Sequence, residues 1–404
     1  MKKFFQKTNS TLLLINIFFL QSYLIRFSIG AYPSNLQEVL IGLNIAIFLG
    51  LLLSTKRVIQ TFKNLRKHWI ILSLASLSVL SIILVPVSNK LDFLRQIKFF
   101  FFAISLALIF LETFRGAERK KAIRWMGIGA LCFGIFSVSY NILGHNITHD
   151  LRLQGPLDSA VYLSYYLAPF FIFFTVESIA HPKDRSNILY AVLLGFLIIG
   201  TRSMGTIAGT FAVIFLYLLI NSDLLKKKYA KIFISTLGIV LFSVVFYSKI
   251  LPTLNTEYSS LDERGQIWET SIALLKEPQN LLFGVGFGQF QEQYSSNVAA
   301  VLGKEPLDYI VLQPHNIFLL FLMNFGILGA LLLLIMIAQT TISIFKNTSE
   351  TRQISLLICS YFLIHGLIDT PIFKNDLLII FIIFFEAALA DYLGKPETKS
   401  IKVK

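Results

Sequence analysis

Charge is scarce in this 404-residue chain: 15% of positions are Asp, Glu, Lys or Arg, against 55% that are apolar. A soluble chain of this length needs far more polar surface to coat its domains, so a soluble fold is excluded. Cysteine is scarcer still. Cys132 and Cys359 both stand inside apolar runs and share no metal or redox spacing, which leaves no disulfide framework to read. Acidic residues number 23 against 36 basic ones, for a formal net charge of +13. The basic residues are dispersed in short clusters between apolar runs. That spacing fits loops facing an anionic membrane surface and argues against nucleic acid as a partner. What the chain has in quantity is apolar sequence, with 38 phenylalanines.

A helix needs roughly 20 apolar residues to cross the hydrocarbon core. Runs of that kind fall near 11–30, 36–53, 69–88, 96–112, 122–143, 158–179, 187–201, 203–220, 230–250, 315–343, 353–369 and 371–391. They predict an all-α polytopic membrane protein, residues 1–404 forming one transmembrane domain of about 12 helices. Met1-Lys2-Lys3 and the run after it resemble a signal peptide. No small-residue cleavage pattern follows, and the segment is read as a retained first helix. Gly200-Thr201-Arg202-Ser203 separates the seventh and eighth runs, either as a hairpin or as a break in one helix.

With the N-terminus in the cytoplasm, successive cytoplasmic segments hold most of the lysines and arginines. These are Lys2, Lys3 and Lys7, then Lys56 to Lys67, Arg115 to Arg124, Lys183 and Arg185, Lys226 to Lys231, Lys346 and Arg352, and Lys395 to Lys404. Both termini are therefore predicted to be cytoplasmic. The one long polar connection, 251–314, falls on the outer side as a large extracytoplasmic loop between the ninth and tenth helices, and ordered loops of that length tend to be functional. Within it Ser260-Leu261-Asp262-Glu263 has the form of a capping box, opening a helix that Pro278 ends. Ile267, Trp268, Ser271, Ile272 and Leu275 fall on one face, which predicts an amphipathic helix lying at the membrane surface with Trp268 at headgroup level.

The basic residues that break the pattern are the informative ones. Arg152, Arg202, Arg264, Lys304 and Lys374 fall on the outer side, as does His315. An Arg at a helix centre costs roughly 2.5–3.5 kcal/mol on insertion scales, so it faces a cavity, snorkels or takes an ion-pair partner. Several guanidinium groups on one side also meet the needs of a pyrophosphate, because each gives bidentate contacts and keeps its charge. His315 follows Pro314 at the start of a long apolar run. It reads either as an interfacial helix-capping His or as a general base kept neutral by the helix N-terminus. His145 and His149 are four apart beside Asp150 but lack a third ligand, and His68, His181 and His365 read as packed or interfacial. Gly284-Val285-Gly286-Phe287-Gly288 lacks the strand–helix setting of a dinucleotide fingerprint. It reads as a tight turn that folds the outer loop back over the site.

In order along the chain, these elements resemble the O-antigen ligase and Wzy-type polymerase superfamily. The elements are RLQGPLDSAVYLSYYL with Arg152, IGTRSMGTIAG with Arg202, and ERGQIWETSIALLKEPQNLLFGVGFGQF with Arg264. PHNIFLLFLMNFGILGALLLL with His315 and HGLIDTPIFKNDLLIIF with Asp369 and Lys374 complete the set, which covers residues 152 to 385. The resemblance implies a GT-C-like glycosyltransferase of the cytoplasmic (inner) membrane, working on its outer face. It implies a donor glycan on undecaprenyl pyrophosphate and an acceptor that is either lipid A-core or another carrier-linked glycan. It implies no nucleotide sugar, no cofactor and no metal.

In that setting His315, Arg264 and Arg202 are the expected catalytic residues, with Arg152, Asp369 and Lys374 binding pyrophosphate or orienting the others. Ligase and polymerase stay open at this level. So does a transporter or flippase of twelve spans, although no internal repeat relates 1–200 to 201–404. A structural membrane partner of an envelope assembly is a further alternative.

Overall fold

The computed structural model describes residues 2–30, 32–56, 58–85, 90–146, 148, 151–221, 260–344 and 349–389. Among them are α-helices α1 (Lys2–Phe18), α2 (Leu36–Thr55), α3 (Val58–Leu65), α4 (Trp69–Leu84), α5 (Lys90–Thr113) and α6 (Gly116–Ile142). Then come α7 (Ala160–Ala180), α8 (Arg185–Thr201), α9 (Met204–Ile220), α10 (Ser260–Leu274), α11 (Pro278–Phe283), α12 (Phe290–Leu302), α13 (Ile317–Ile344), α14 (Glu350–His365) and α15 (Asn375–Leu389). The protein is an all-α membrane protein. Among the described residues five stretches are long and apolar enough to cross a bilayer: Leu36–Thr55, Phe93–Thr113, Gly116–Ile142, Ala160–Ala180 and Ile317–Ser343, with α8 and α9 as shorter apolar helices. The span expected at 230–250 lies outside the described residues, as do His149, Asp150 and the basic residues from Lys226 to Lys231.

Polar pairs sort the helix ends into two sets. At one end Lys120 on α6 lies 2.8 Å from Glu177 on α7 and 2.9 Å from Glu350 on α14. There too Arg124 lies 3.0 Å from Asp184, and His68 pairs with Glu386 at the far end of α15. At the opposite end Lys98 on α5 lies 2.9 Å from Glu38 on α2 and donates to the Pro33 carbonyl. This is the alternation that the basic clusters predict for these helices. α7 and α15 form the centre of the bundle and are buried over most of their length. A helix apolar all round has to sit there.

Two expectations are corrected. The first run, 11–30, is not one helix. α1 stops at Phe18, Leu20–Leu24 tightens into a 3₁₀ turn, and Arg26–Ile29 pairs antiparallel with Tyr32–Asn35 around Gly30. The break is paired with a polar contact: the Gln21 amide donates to the buried Asp376 carboxylate at 2.5 Å, which fixes that turn against the start of α15. The segment around Gly200 is a hairpin, since α9 runs back along α14, Gly205 against His365 and Gly209 against Tyr361.

The second correction concerns α10. Its buried stripe is Ile267, Thr270, Ser271 and Leu274, packed with Tyr294 and Val298 of α12 and with Val311 and Met323, while Ile272 is exposed. Trp268 donates its indole N–H to the Pro314 carbonyl at 3.0 Å. The stripe that packs on protein is thus rotated from the expected face: Ile267 and Ser271 are buried within the unit of α10 to α12, Trp268 and Leu275 partly so, and Ile272 is left outside it. That unit is fastened to the bundle where α13 kinks at Gly326 (φ 62°, ψ −154°). A Cβ at Gly326 would stand 2.2 Å from the Leu282 carbonyl oxygen, and one at Gly284 (φ 79°) 2.6 Å from that of Met323. Val285 N donates to the Met323 carbonyl and Gly288 N to the Asn324 side chain. Between those two contacts Phe287 enters a cluster with Phe100, Phe325 and Phe373, ring centroids 5.3–6.0 Å apart. The glycine run is thus the turn that folds the unit back onto the bundle, as its composition predicts.

Candidate active site

The connection between α14 and α15, residues 366–374, lies at the end of the bundle opposite Lys120, and Asp369 in its middle is 5% exposed. Its carboxylate is the meeting point of two distant segments. Oδ1 accepts from His315 Nδ1 at 2.8 Å, and Oδ2 from an Arg264 terminal N–H at 3.4 Å. Burial by itself would raise the Asp369 carboxyl. The hydrogen bond and charge from His315, with smaller contributions from the Tyr165 hydroxyl and His365, hold it well below the usual carboxylate range. It is therefore an anion throughout the working pH range.

His315 sits just outside α13 rather than in its first turn. Asn316 is the cap, its side-chain oxygen accepting from Phe318 N at 2.9 Å and Leu319 N at 3.1 Å. The carboxylate, not the helix terminus, is what the imidazole faces. With Nδ1–H donating to Asp369, Nε2 is left as the acceptor, the tautomer a general base requires. The His315 backbone is left-handed (φ 48°), an arrangement that costs about 1–3 kcal/mol in a non-glycine residue.

Arg264 comes from the first turns of α10, brought over the bundle by the Gly326 junction. Its Nε is buried and has no hydrogen-bond partner among the described residues. An N–H donor in that state carries a desolvation cost that an anionic oxygen would remove. Lys374 lies 2.8 Å from the centroid of the Tyr162 ring and 3.4 Å from Asp158. Burial lowers its pKa to about 8, against the opposing pull of Asp158 and Asp376.

Arg202 and Arg152 form a second group beside the first. Arg202 is the left-handed cap of α8 (φ 51°), and Arg152 Nε donates to the carbonyl of the neighbouring Thr201 at 2.8 Å. Three residues past Arg202, Gly205 abuts His365 and Ile368, next to Asp369. Of the six residues expected from sequence, the structure brings His315 and Arg264 each into contact with Asp369. Arg152 and Arg202 share the adjoining shoulder, and Lys374 sits on the far side of the same connection.

Sequence reasoning missed the supports. His365, 2% exposed, packs edge-on against Tyr165 at 4.6 Å and takes the Tyr361 hydroxyl at 2.9 Å. Ser164, Thr206 and Ser203 continue the polar contacts between α7 and the α8–α9 turn. The paired tyrosines of the apolar stretch VYLSYYL were the available signal. For a metal, Glu177, His181 and Glu350 converge at the opposite end of the bundle, but the Lys120 ammonium already bridges both carboxylates there.

Comparison with protein families matches residues 189–334 to the family described as O-antigen ligase. The segment runs from α8 through α13 and contains Arg202, Arg264, the glycine turn and His315. Over that segment, about a third of the chain, the protein is similar to the O-antigen ligase family. No curated protein matches the chain.

Proposed function

We propose that this multi-pass protein, carrying the O-antigen ligase segment in the half of the chain that holds Arg202, Arg264 and His315, is a membrane glycosyltransferase. It transfers a glycan from undecaprenyl pyrophosphate to an acceptor hydroxyl on the outer face of the inner membrane. The observation that carries this reading is the Asp369 bridge: one carboxylate orients a basic imidazole and a guanidinium whose buried Nε lacks a partner. A nucleophile-activating group and an anion-binding group so held can serve one displacement.

In the proposed step the acceptor oxygen attacks the anomeric carbon as its proton passes to His315 Nε2. The bond from that carbon to the pyrophosphate oxygen breaks, and the departing charge is taken up by Arg264 and Arg202, with Arg152 and Lys374 adding to the field. Direct displacement inverts the anomeric centre. Nothing in the step calls for a metal or a nucleotide sugar. We favour a ligase acting on lipid A-core, with a polymerase joining two carrier-linked glycans as the second reading.

The test is transfer by the purified protein in lipid, supplied with an undecaprenyl-pyrophosphate oligosaccharide with and without lipid A-core. Product only with the acceptor supports the ligase, and elongation of the donor alone supports the polymerase. Movement of the lipid across the bilayer with no glycan transfer would overturn both in favour of a transporter.

A further inference from the structure

The α10–α12 unit carries an open groove of about 610 Å³ along α10, lined by Gly265, Trp268, Glu269, Ile272, Ala273 and Lys276, with Val301 of α12 at its edge. Gly265, Glu269, Ile272 and Lys276 recur at the spacing of one helix face, opposite the stripe through which α10 packs on α12. The groove begins beside the site already described. Gly265 follows Arg264, and Trp268, one turn on, is held by its N–H to the carbonyl of Pro314, the residue before His315.

Gly265 has no internal reason to be glycine. It lies in a regular stretch of helix, where glycine costs about 1 kcal/mol relative to alanine, and a Cβ there would meet nothing within 4 Å among the described residues. Among the described residues neither backbone conformation nor packing asks for it, which leaves the space above it open to a ligand. The chemistry of the lining narrows what that is. An acyl chain would be met by apolar walls alone, whereas Glu269 and Lys276 are exposed and charged. A phosphate would be repelled by Glu269. A pyranose presents C–H faces to an indole and hydroxyls to a carboxylate and an ammonium, which is the set of groups present here.

We infer that this groove binds saccharide units of a substrate, laying the sugar chain along α10 so that its reacting end reaches His315 and Arg264. The inference rests on the transferase reading above and adds to it a glycan subsite on the outer unit. The sugars are those of either the donor or the acceptor.

The test is the transfer assay with Gly265→Ala, Gly265→Leu and Gly265→Phe, measuring KM separately for each substrate. The expected result is a KM for one of the two that rises with side-chain size, by about tenfold or more at Leu. The kcat stays within about twofold and the thermal midpoint does not fall. The substrate whose KM moves identifies whose sugars occupy the groove.

A second arm needs no turnover: Trp268 is made the sole tryptophan by Trp69→Phe and Trp125→Phe. Its fluorescence is titrated with the free oligosaccharides released from donor and acceptor, and a saturable change that Gly265→Leu removes is expected. Unchanged KM values in the Gly265 series, or a Trp268 signal that neither oligosaccharide shifts, would overturn the groove while leaving the transferase standing. If the wild-type protein transfers nothing, it is the transferase reading that falls, and the titration alone then decides whether the groove takes sugar.

Discussion

His315 Nδ1 and Asp369 Oδ1 lie 2.8 Å apart, joined across 54 residues of sequence by the return of α14 alongside α13. The pair sets which imidazole nitrogen is free. Asp369→Asn keeps the shape and removes the charge, so the amide no longer enforces that tautomer. By the behaviour of carboxylate-held imidazoles in general, transfer should fall on the order of 10³–10⁴-fold with the fold retained. Single-turnover rates at saturating donor, alongside a thermal melt, would check it. A loss below tenfold would remove Asp369 from the mechanism.

Arg202 caps α8 in the left-handed region that glycine occupies without penalty. Arg202→Gly should therefore relieve about 1 kcal/mol of backbone strain, which offsets the contact its side chain gives up and leaves the thermal midpoint nearly unchanged, while transfer is lost. A residue held in strain for function gives that opposite pair of outcomes. A parallel loss of stability and activity would mark Arg202 as structural instead.

Lys374 should give the reaction an alkaline limb. Burial lowers its pKa from 10.5 to about 8, so the ammonium is charged below pH 8 and neutral above it. If that charge helps to hold the pyrophosphate, KM for the donor rises as pH passes through about 8. Lys374→Arg, which keeps its charge, should move that limb out of the range. A donor KM that is flat from pH 7 to pH 9 in the wild-type protein would refute the assignment.

The Gly326 junction should behave as a mechanical joint. Gly326→Ala drives a Cβ to within 2.2 Å of the Leu282 carbonyl, so the backbone must part there. A loss of about 1–3 kcal/mol is expected, as for an overpacked core. Limited proteolysis should cut first within α10 to α12, because those helices lose their attachment. Cleavage confined to other segments would show that the unit is held elsewhere.

Lys120 ties α6, α7 and α14 together through Glu177 and Glu350. Lys120→Met leaves the buried Glu177 without its partner and should cost about 3–5 kcal/mol. The double variant with Glu177→Gln should recover much of that loss, read as thermal midpoints in the same detergent. Equal midpoints for the single and double variants would mean the pair contributes little.

The sequence by itself determined the membrane class, the alternation of the described helix ends and the polar identity of the connection that carries α10 to α12. Each of these is a local quantity: apolar run length, the placing of Lys and Arg, and the charge of one connection. It also pointed to Arg202, Arg264 and His315, because they break the alternation of basic residues along the chain, whereas Asp369 was reached only through the resemblance to the O-antigen ligase superfamily.

Tertiary structure decided the rest. That Asp369 binds both His315 and Arg264 depends on α10 being carried over the bundle by the kink at Gly326, and no spacing in the chain encodes that distance. The break at Phe18 depends on Gln21 meeting Asp376, 355 residues away. The apolar face of α10 was legible as a face, but whether it meets lipid or protein was fixed only by α12 lying against it. His365 and Tyr165, buried behind Asp369, look in sequence like any aromatic residue of an apolar helix. Their part in the site arises from packing, which the order of residues does not display.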